Sequence, residues 1–203
     1  MTAASTTLGP VKVTLGPARA GAECLSSDLL VGFVNSRPHH KQPAELLADG
    51  SAVAKWFERA GAGESPGATD ADAATARELR DALLSILRAH VGCDEGAAMV
   101  PAAEAHLQRA ALRFPVTTIV TSEGCELHPT GTGIDRSFSY LLSAVADLAS
   151  RGAWARVKVC KNDSCYTAFF DKTRNSSALY CSTACSGQMA TRAYRERKKE
   201  CAL

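Results

Sequence analysis

Residues 160–185 read CKNDSCYTAFFDKTRNSSALYCSTAC, and the cysteines in this stretch are spaced in two pairs. Cys160 and Cys165 form C-x4-C, fifteen residues follow, and Cys181 and Cys185 form C-x3-C. A structural zinc ion asks for four thiolates about 2.3 Å from the metal in a tetrahedron, and two close pairs at the base of a hairpin supply that geometry. The residues between them suit a hairpin: Tyr166, Ala168, Phe169 and Phe170 are strand-like, 172–176 is turn-like, and Leu179-Tyr180 returns to the second pair. Two disulfides or four unrelated thiols are the alternatives. A reducing compartment and a segment too small to build its own core favour Zn²⁺ held by Cys160, Cys165, Cys181 and Cys185, with folding of the module tied to the metal.

The sequence after the second pair has helical periodicity as far as Glu200. At about 100° per residue, Gln188, Arg192, Arg195 and Lys199 share one stripe, while Met189, Ala190, Ala193 and Tyr194 lie opposite and are expected to pack on the finger or the body. A cationic stripe starting at a zinc site can neutralise phosphates of double-stranded DNA, and arginine can read guanine edges. Arg192, Arg195 and Lys199 are the expected DNA contacts, with Arg197 and Arg174 as secondary ones. The plainer alternative is a solvated helix whose cations only stabilise its C-terminal end. Charge is also divided along the chain. Residues 1–150 carry 12 Lys/Arg against 17 Asp/Glu, and 151–203 carry 11 against 4, so an acidic body precedes a basic tail.

The 203 residues are 46% hydrophobic and 22% charged, which excludes wholesale disorder and fits one medium domain with a small appendage. In the N-terminal 22 residues, Val11, Val13 and Leu15 suggest one short strand. Helical patterns follow over 22–35, with Ser26 or Ser27 near the start and Arg37-Pro38 after the end, over 44–60 as one helix or a pair of short ones, and most strongly over 70–91. A further helix is expected over 101–112, with Pro101 in its first turn, where a missing N–H costs nothing. Val116, Ile119 and Val120 followed by Glu126-Leu127-His128 read as a β-hairpin turning at Glu123-Gly124. Asp135 or Ser137 then caps a helix through Leu148 that Arg151-Gly152 closes.

No run approaches the ~20 apolar residues that span a bilayer, and Lys12, Arg19, Pro10 and Pro17 interrupt any secretory leader, so a cytoplasmic protein is expected. Cys24, Cys93 and Cys125 are expected to pack as small hydrophobes, and Cys201 to lie in the tail. His39, His40, His90, His106 and His128 are scattered. No H-E-x-x-H, G-x-S-x-G or P-loop pattern occurs, and Gly131-Thr132-Gly133 does not extend to G-x-G-x-x-G. An enzyme is therefore not expected.

Cys160, Cys165, Phe169-Phe170-Asp171, Thr173-Arg174-Asn175, Tyr180-Cys181, Cys185 and the basic run 192–197 resemble the finger of the CGNR zinc-finger family. Members of that family join an N-terminal ABATE domain to the finger. The body is similar too: LLVGFVNS at 29–36 matches an L-D-F-V-N-T opening, with Gly32 in place of Asp, and Leu46-Leu47, Trp56, Ala60-Gly61 and 79–83 follow in order. Ser186-Gly187-Gln188 replaces the G-N-R that follows the last cysteine in the family, so any DNA contact made there by relatives does not carry over.

The resemblance implies a stress-linked transcription regulator that binds DNA, whose ABATE domain responds to a ligand or stress signal. The expected fold is α+β: a predominantly helical body with a small β-hairpin, then a four-Cys finger and basic helix. The expected divisions are a flexible segment 1–22, a body 23–152 and a finger 153–203. A lone finger offers little surface against the ~1,000–2,500 Å² of specific DNA complexes, so a homodimer is expected. The rival function is a zinc-containing module that docks on the transcription machinery without touching DNA.

Overall fold

A computed structural model describes residues 22–40, 42–122 and 124–200. The strand expected at Val11–Leu15, nearly all of the segment expected to be flexible, and the turn residue Glu123 lie outside them, as do the side chain of Cys24 and the whole of Cys201. The described chain runs α1 (Ala22–Val34), α2 (Gly50–Arg59), α3 (Asp70–Ala89), α4 (Asp94–Arg113), β1 (Val116–Thr121), β2 (Gly124–Pro129) and α5 (Gly133–Ser150). A 3₁₀ turn (Trp154–Arg156), β3 (Val157–Val159), β4 (Ala168–Phe170) and α6 (Thr183–Glu200) complete it. Both sheets are two-stranded antiparallel hairpins, β1–β2 and β3–β4. The fold is α+β. Among the described residues, no helix is long and apolar enough to cross a membrane.

Helix α3 organises the body. Leu79, Leu83, Ile86 and Leu87 repeat at helical spacing and are all buried. Thr69 and Asp72 close the N-terminal end as a reciprocal capping box. The packed rings of Phe33, Trp56, Phe57, Phe114 and Phe138 tie α1, α2, α4 and α5 around α3, with centroids 4.7–6.0 Å apart.

Several expected boundaries move, each for a local reason. The 44–60 pattern becomes helical only at Gly50, because Glu45 is drawn away by its bidentate ion pair with buried Arg80 (2.7 and 2.9 Å) and also accepts the Leu47 N–H. Asp49 then caps α2. Helix α4 starts at Asp94, so Pro101 lies inside it and not in its first turn. Both Pro101 and Ala97, whose carbonyl loses its helical donor there, are exposed, and water can replace the bond. Ser26 and Ser27 sit buried in mid-α1, where Ser26 Oγ donates to Asp147 Oδ2 of α5 at 2.6 Å. Helix α5 begins at Gly133, before the expected caps, and Ser137 is instead buried against Ser65 Oγ at 2.8 Å.

The β3–β4 hairpin is seated on this body. Val157, Val159 and Ala168 belong to the same buried cluster as Phe33 and Leu87. Asn35, just past α1, acts on β4 as a neighbouring strand would: its Nδ2 donates to the Ala168 carbonyl (3.0 Å) and its Oδ1 accepts the Ala168 N–H (2.8 Å). Arg37 donates to the Tyr166 carbonyl at 2.9 Å. His90 hydrogen-bonds the Val157 carbonyl through Nδ1 at 2.8 Å, and burial lowers its pKa.

Candidate metal centre and basic helix

Strand β3 delivers Cys160, whose N–H bonds the Thr167 carbonyl at 2.9 Å. The chain then turns tightly. The Asn162 carbonyl accepts the N–H groups of Cys165 (2.8 Å) and Tyr166 (3.3 Å), while its side-chain oxygen accepts the Ser164 N–H at 3.1 Å. Tyr166 takes a left-handed backbone (φ 49°), unusual for a bulky residue, and this reverses the chain into β4. The second pair straddles the start of α6, where Ser182 Oγ accepts the Cys185 N–H at 3.3 Å. The 179–181 segment is tied to the first turn by Lys161 N–H to the Leu179 carbonyl at 2.8 Å.

These turns bring the four expected sulfurs together, all within 4.8 Å of one another. Cys165 and Cys181 are 3.6 Å apart, and Cys181 and Cys185 3.8 Å. A tetrahedron with arms of about 2.3 Å has edges of about 3.8 Å, so the set fits Zn²⁺. Its electrostatics agree. Burial raises the Cys160 thiol and, with hydrogen bonds to Cys165 and Cys185, pushes Cys181 up to about 12. Burial also raises Cys165, but its bonds with Thr167, Cys181 and Cys185 outweigh this and bring it to about 7. Four adjacent thiolates cannot coexist in so dry a place without a cation, and a divalent metal deprotonates its thiol ligands outright.

The loop between the pairs is built on a buried ion pair. Lys158 Nζ donates to Asp171 Oδ2 at 2.7 Å, and both side chains are almost wholly buried. Asp171 also accepts from Thr173 Oγ1 (2.6 Å), Thr173 N–H (2.9 Å) and Ala178 N–H (2.8 Å). Burial opposes ionisation here, yet these donors hold the carboxyl well below the usual carboxylate range. Arg156 braces the same loop by donating to the carbonyls of Asp171, Thr173 and Arg174. Arg174 is thus fixed through its backbone while its side chain is exposed.

Helix α6 leaves the cage largely in solvent. Of the face expected to pack, Met189 and Ala193 are half-buried, whereas Ala190 and Tyr194 are exposed, Tyr194 by 60%. The described residues leave most of that stripe uncovered. Arg192 is not a free cation: Nη1 meets Asp163 Oδ2 and Nε meets Glu196 Oε1, both at 3.1 Å. Arg195, Arg197, Lys198 and Lys199 are exposed. Gln188, in the position of the family arginine, accepts from buried Asn162 Nδ2 at 3.0 Å and joins the helix to the first cysteine turn. Sequence periodicity placed Gln188 on the cationic stripe and gave no sign of this bond, nor of the Asp163–Arg192 pair, since both partners lie far apart in the chain.

Residues 27–151 match ABATE, described as "Putative stress-induced transcription regulator". Residues 156–198 match the CGNR zinc finger. Both descriptions are of regulator and finger types, and neither is an enzyme family. No curated protein matches the chain in sequence. With the larger match covering most of the helical body and the smaller one framing the four-sulfur cage, this chain belongs to the ABATE family and carries a CGNR zinc finger after its ABATE domain.

Proposed function

We propose that this chain is a zinc-dependent, DNA-binding transcriptional regulator of the cytoplasm. Cys160, Cys165, Cys181 and Cys185 hold the Zn²⁺, which supplies no reaction here: it clamps the start of α6 against the hairpin. The observation that carries the function is the exposure of α6. An 18-residue helix anchored at a four-thiol cage presents Arg195 and Lys199 on one stripe, with Lys198 beside it and Arg197 on the far side, and all four are exposed among the described residues. Arg195 and Lys199 make phosphate or base contacts, and Arg197 and loop-borne Arg174 add further ones. Arg192 orients the helix through Asp163 and contributes to DNA binding mainly through that orientation. In the body, a groove of about 640 Å³ lined by Leu107, Val116, Leu142 and Val145 has the apolar character an effector site would need.

The test is fluorescence anisotropy with duplex DNA over a range of salt. Each phosphate contact contributes about 0.9 to the slope of log K against log salt, so Arg195→Ala/Lys199→Ala should flatten it by about 1–2 while zinc content stays unchanged. An unchanged slope would remove α6 from the interface. Exposed Tyr194 favours the second reading, a helix that docks on a protein of the transcription machinery. In that case no duplex binds and Tyr194→Ala abolishes co-purification with that partner.

A further inference from the structure

The two hairpins treat their open edges in opposite ways. The outer edge of β4 is covered, because Asn35 takes both the N–H and the carbonyl of Ala168. Among the described residues the outer edge of β1 has no such cover: its sheet contains only β2, and five of its six residues are exposed. An uncovered edge is ordinarily blunted by a charge, a proline, a bulge or brevity. Strand β1 has none of these. It reads Val-Thr-Thr-Ile-Val-Thr, every residue β-branched and uncharged, in unbroken register with β2. β-branched side chains have few χ1 rotamers to lose and suit a pleated surface, so ordering this edge against another strand costs little. Val120 is 80% exposed and Ile119 42%.

The register shows which backbone groups are on offer. Val116 pairs with Pro129, which has no N–H, so that pair is of the non-hydrogen-bonded kind. Alternation then turns Thr117, Ile119 and Thr121 towards β2, and directs the N–H and carbonyl groups of Val116, Thr118 and Val120 outward.

We propose that the free edge of β1 is the pairing surface for a second copy of this chain, joining two hairpins into one four-stranded antiparallel sheet across a twofold axis at Thr118. In that register Val116 lies opposite the partner's Val120, and Thr117 opposite the partner's Ile119. Valine meets valine, threonine meets isoleucine, and the outward backbone groups of each copy meet their like. The edge itself sets no charge against a second copy. The acidic bodies repel one another, and β1 is a segment on which two of them can meet without opposing like charges. The proposal gives a surface to the dimer that DNA recognition by one small finger calls for, yet it concerns the body alone and stands whether or not α6 touches DNA.

The experiment is sedimentation of the zinc-loaded full chain, without DNA, over a concentration series. The wild type should pass from monomer to dimer as concentration rises. Val120→Lys, at an exposed position, should weaken association at least tenfold by setting a charge on the edge opposite Val116 of the other copy. Thr118→Pro removes an outward N–H that the hairpin does not use and should do the same. Zinc content and far-ultraviolet circular dichroism should match the wild type in both variants. A wild type that stays monomeric to hundreds of micromolar overturns the proposal, as does a dimer that persists undiminished in both variants. Loss of DNA binding with an intact dimer would count only against the function of α6.

Discussion

Asp171→Ala should destabilise the finger strongly. The carboxylate removed is 1% exposed and accepts four hydrogen bonds, from Lys158 Nζ, Thr173 Oγ1, and the N–H groups of Thr173 and Ala178. After the change, the buried Lys158 ammonium keeps only the Ser176 and Ala178 carbonyls. Breaking one side of a buried ion pair costs about 3–5 kcal/mol. For a chain of this length each kcal/mol is worth about 2–4 °C, so Tm should fall by roughly 6–20 °C. Thermal unfolding of the zinc-loaded protein, followed by circular dichroism, measures it. The pH dependence has a definite sign. The folded carboxyl titrates well below its unfolded value of about 3.9, so its stabilisation is complete above about pH 5 and is lost as pH falls through the folded value. The Tm gap between wild type and variant should therefore be flat from about pH 5.5 to 8. Lys158→Ala should behave alike, and the double variant should cost less than the two singles combined. A Tm change under about 3 °C, or strict additivity, would refute the assignment of the pair as the frame of the loop.

Removing the metal from reduced protein with a chelator at neutral pH should release Zn²⁺ and strip amide protection from 160–185 while α3 stays protected, as read by hydrogen exchange; Cys185→Ser should lower metal content equally. Asn35→Ala orphans the N–H and carbonyl of Ala168 and should cost about 2–3 kcal/mol, with the earliest loss of protection at β4. Gly50→Ala would set a Cβ 2.2 Å from the Ala68 carbonyl oxygen, so α2 must shift, and denaturant unfolding should show a loss of about 1–3 kcal/mol.

What could be read from the sequence divides along physical lines. The four cysteines were legible because metal chemistry imposes close spacing within each pair, which survives as a string pattern. Helix α3 was legible because a twenty-residue amphipathic repeat leaves few alternatives. The start of α2 was not, because it depends on Glu45 being captured by Arg80, a partner in another helix. Pro101 misled because a first turn is where proline costs a helix least, whereas here the exposed side of α4 lets water complete the broken ladder. The roles of Asn35 and Gln188 are side-chain bonds across distant chain segments that no local pattern encodes, and Asp171 combines a local turn bond to Thr173 with its pairing to Lys158 thirteen residues earlier. For α6 the helix itself was legible, but Arg192 and Gln188 of its stripe are engaged by Asp163, Glu196 and Asn162, and the burial of the opposite face was overestimated, since periodicity shows that a face exists and not what covers it.

The service of Asn35 to β4 bears on how this finger could be borrowed. A ribbon with three residues in each strand is too short to persist alone, and here its missing neighbour is a single amide group from the end of α1. A fusion that transplants 153–203 onto an unrelated protein would leave that amide behind, together with the His90 and Arg37 bonds. The excised module would arrive with its sulfur ligands intact and its foundation missing, so a portable version must carry the α1 terminus or an engineered surrogate for it.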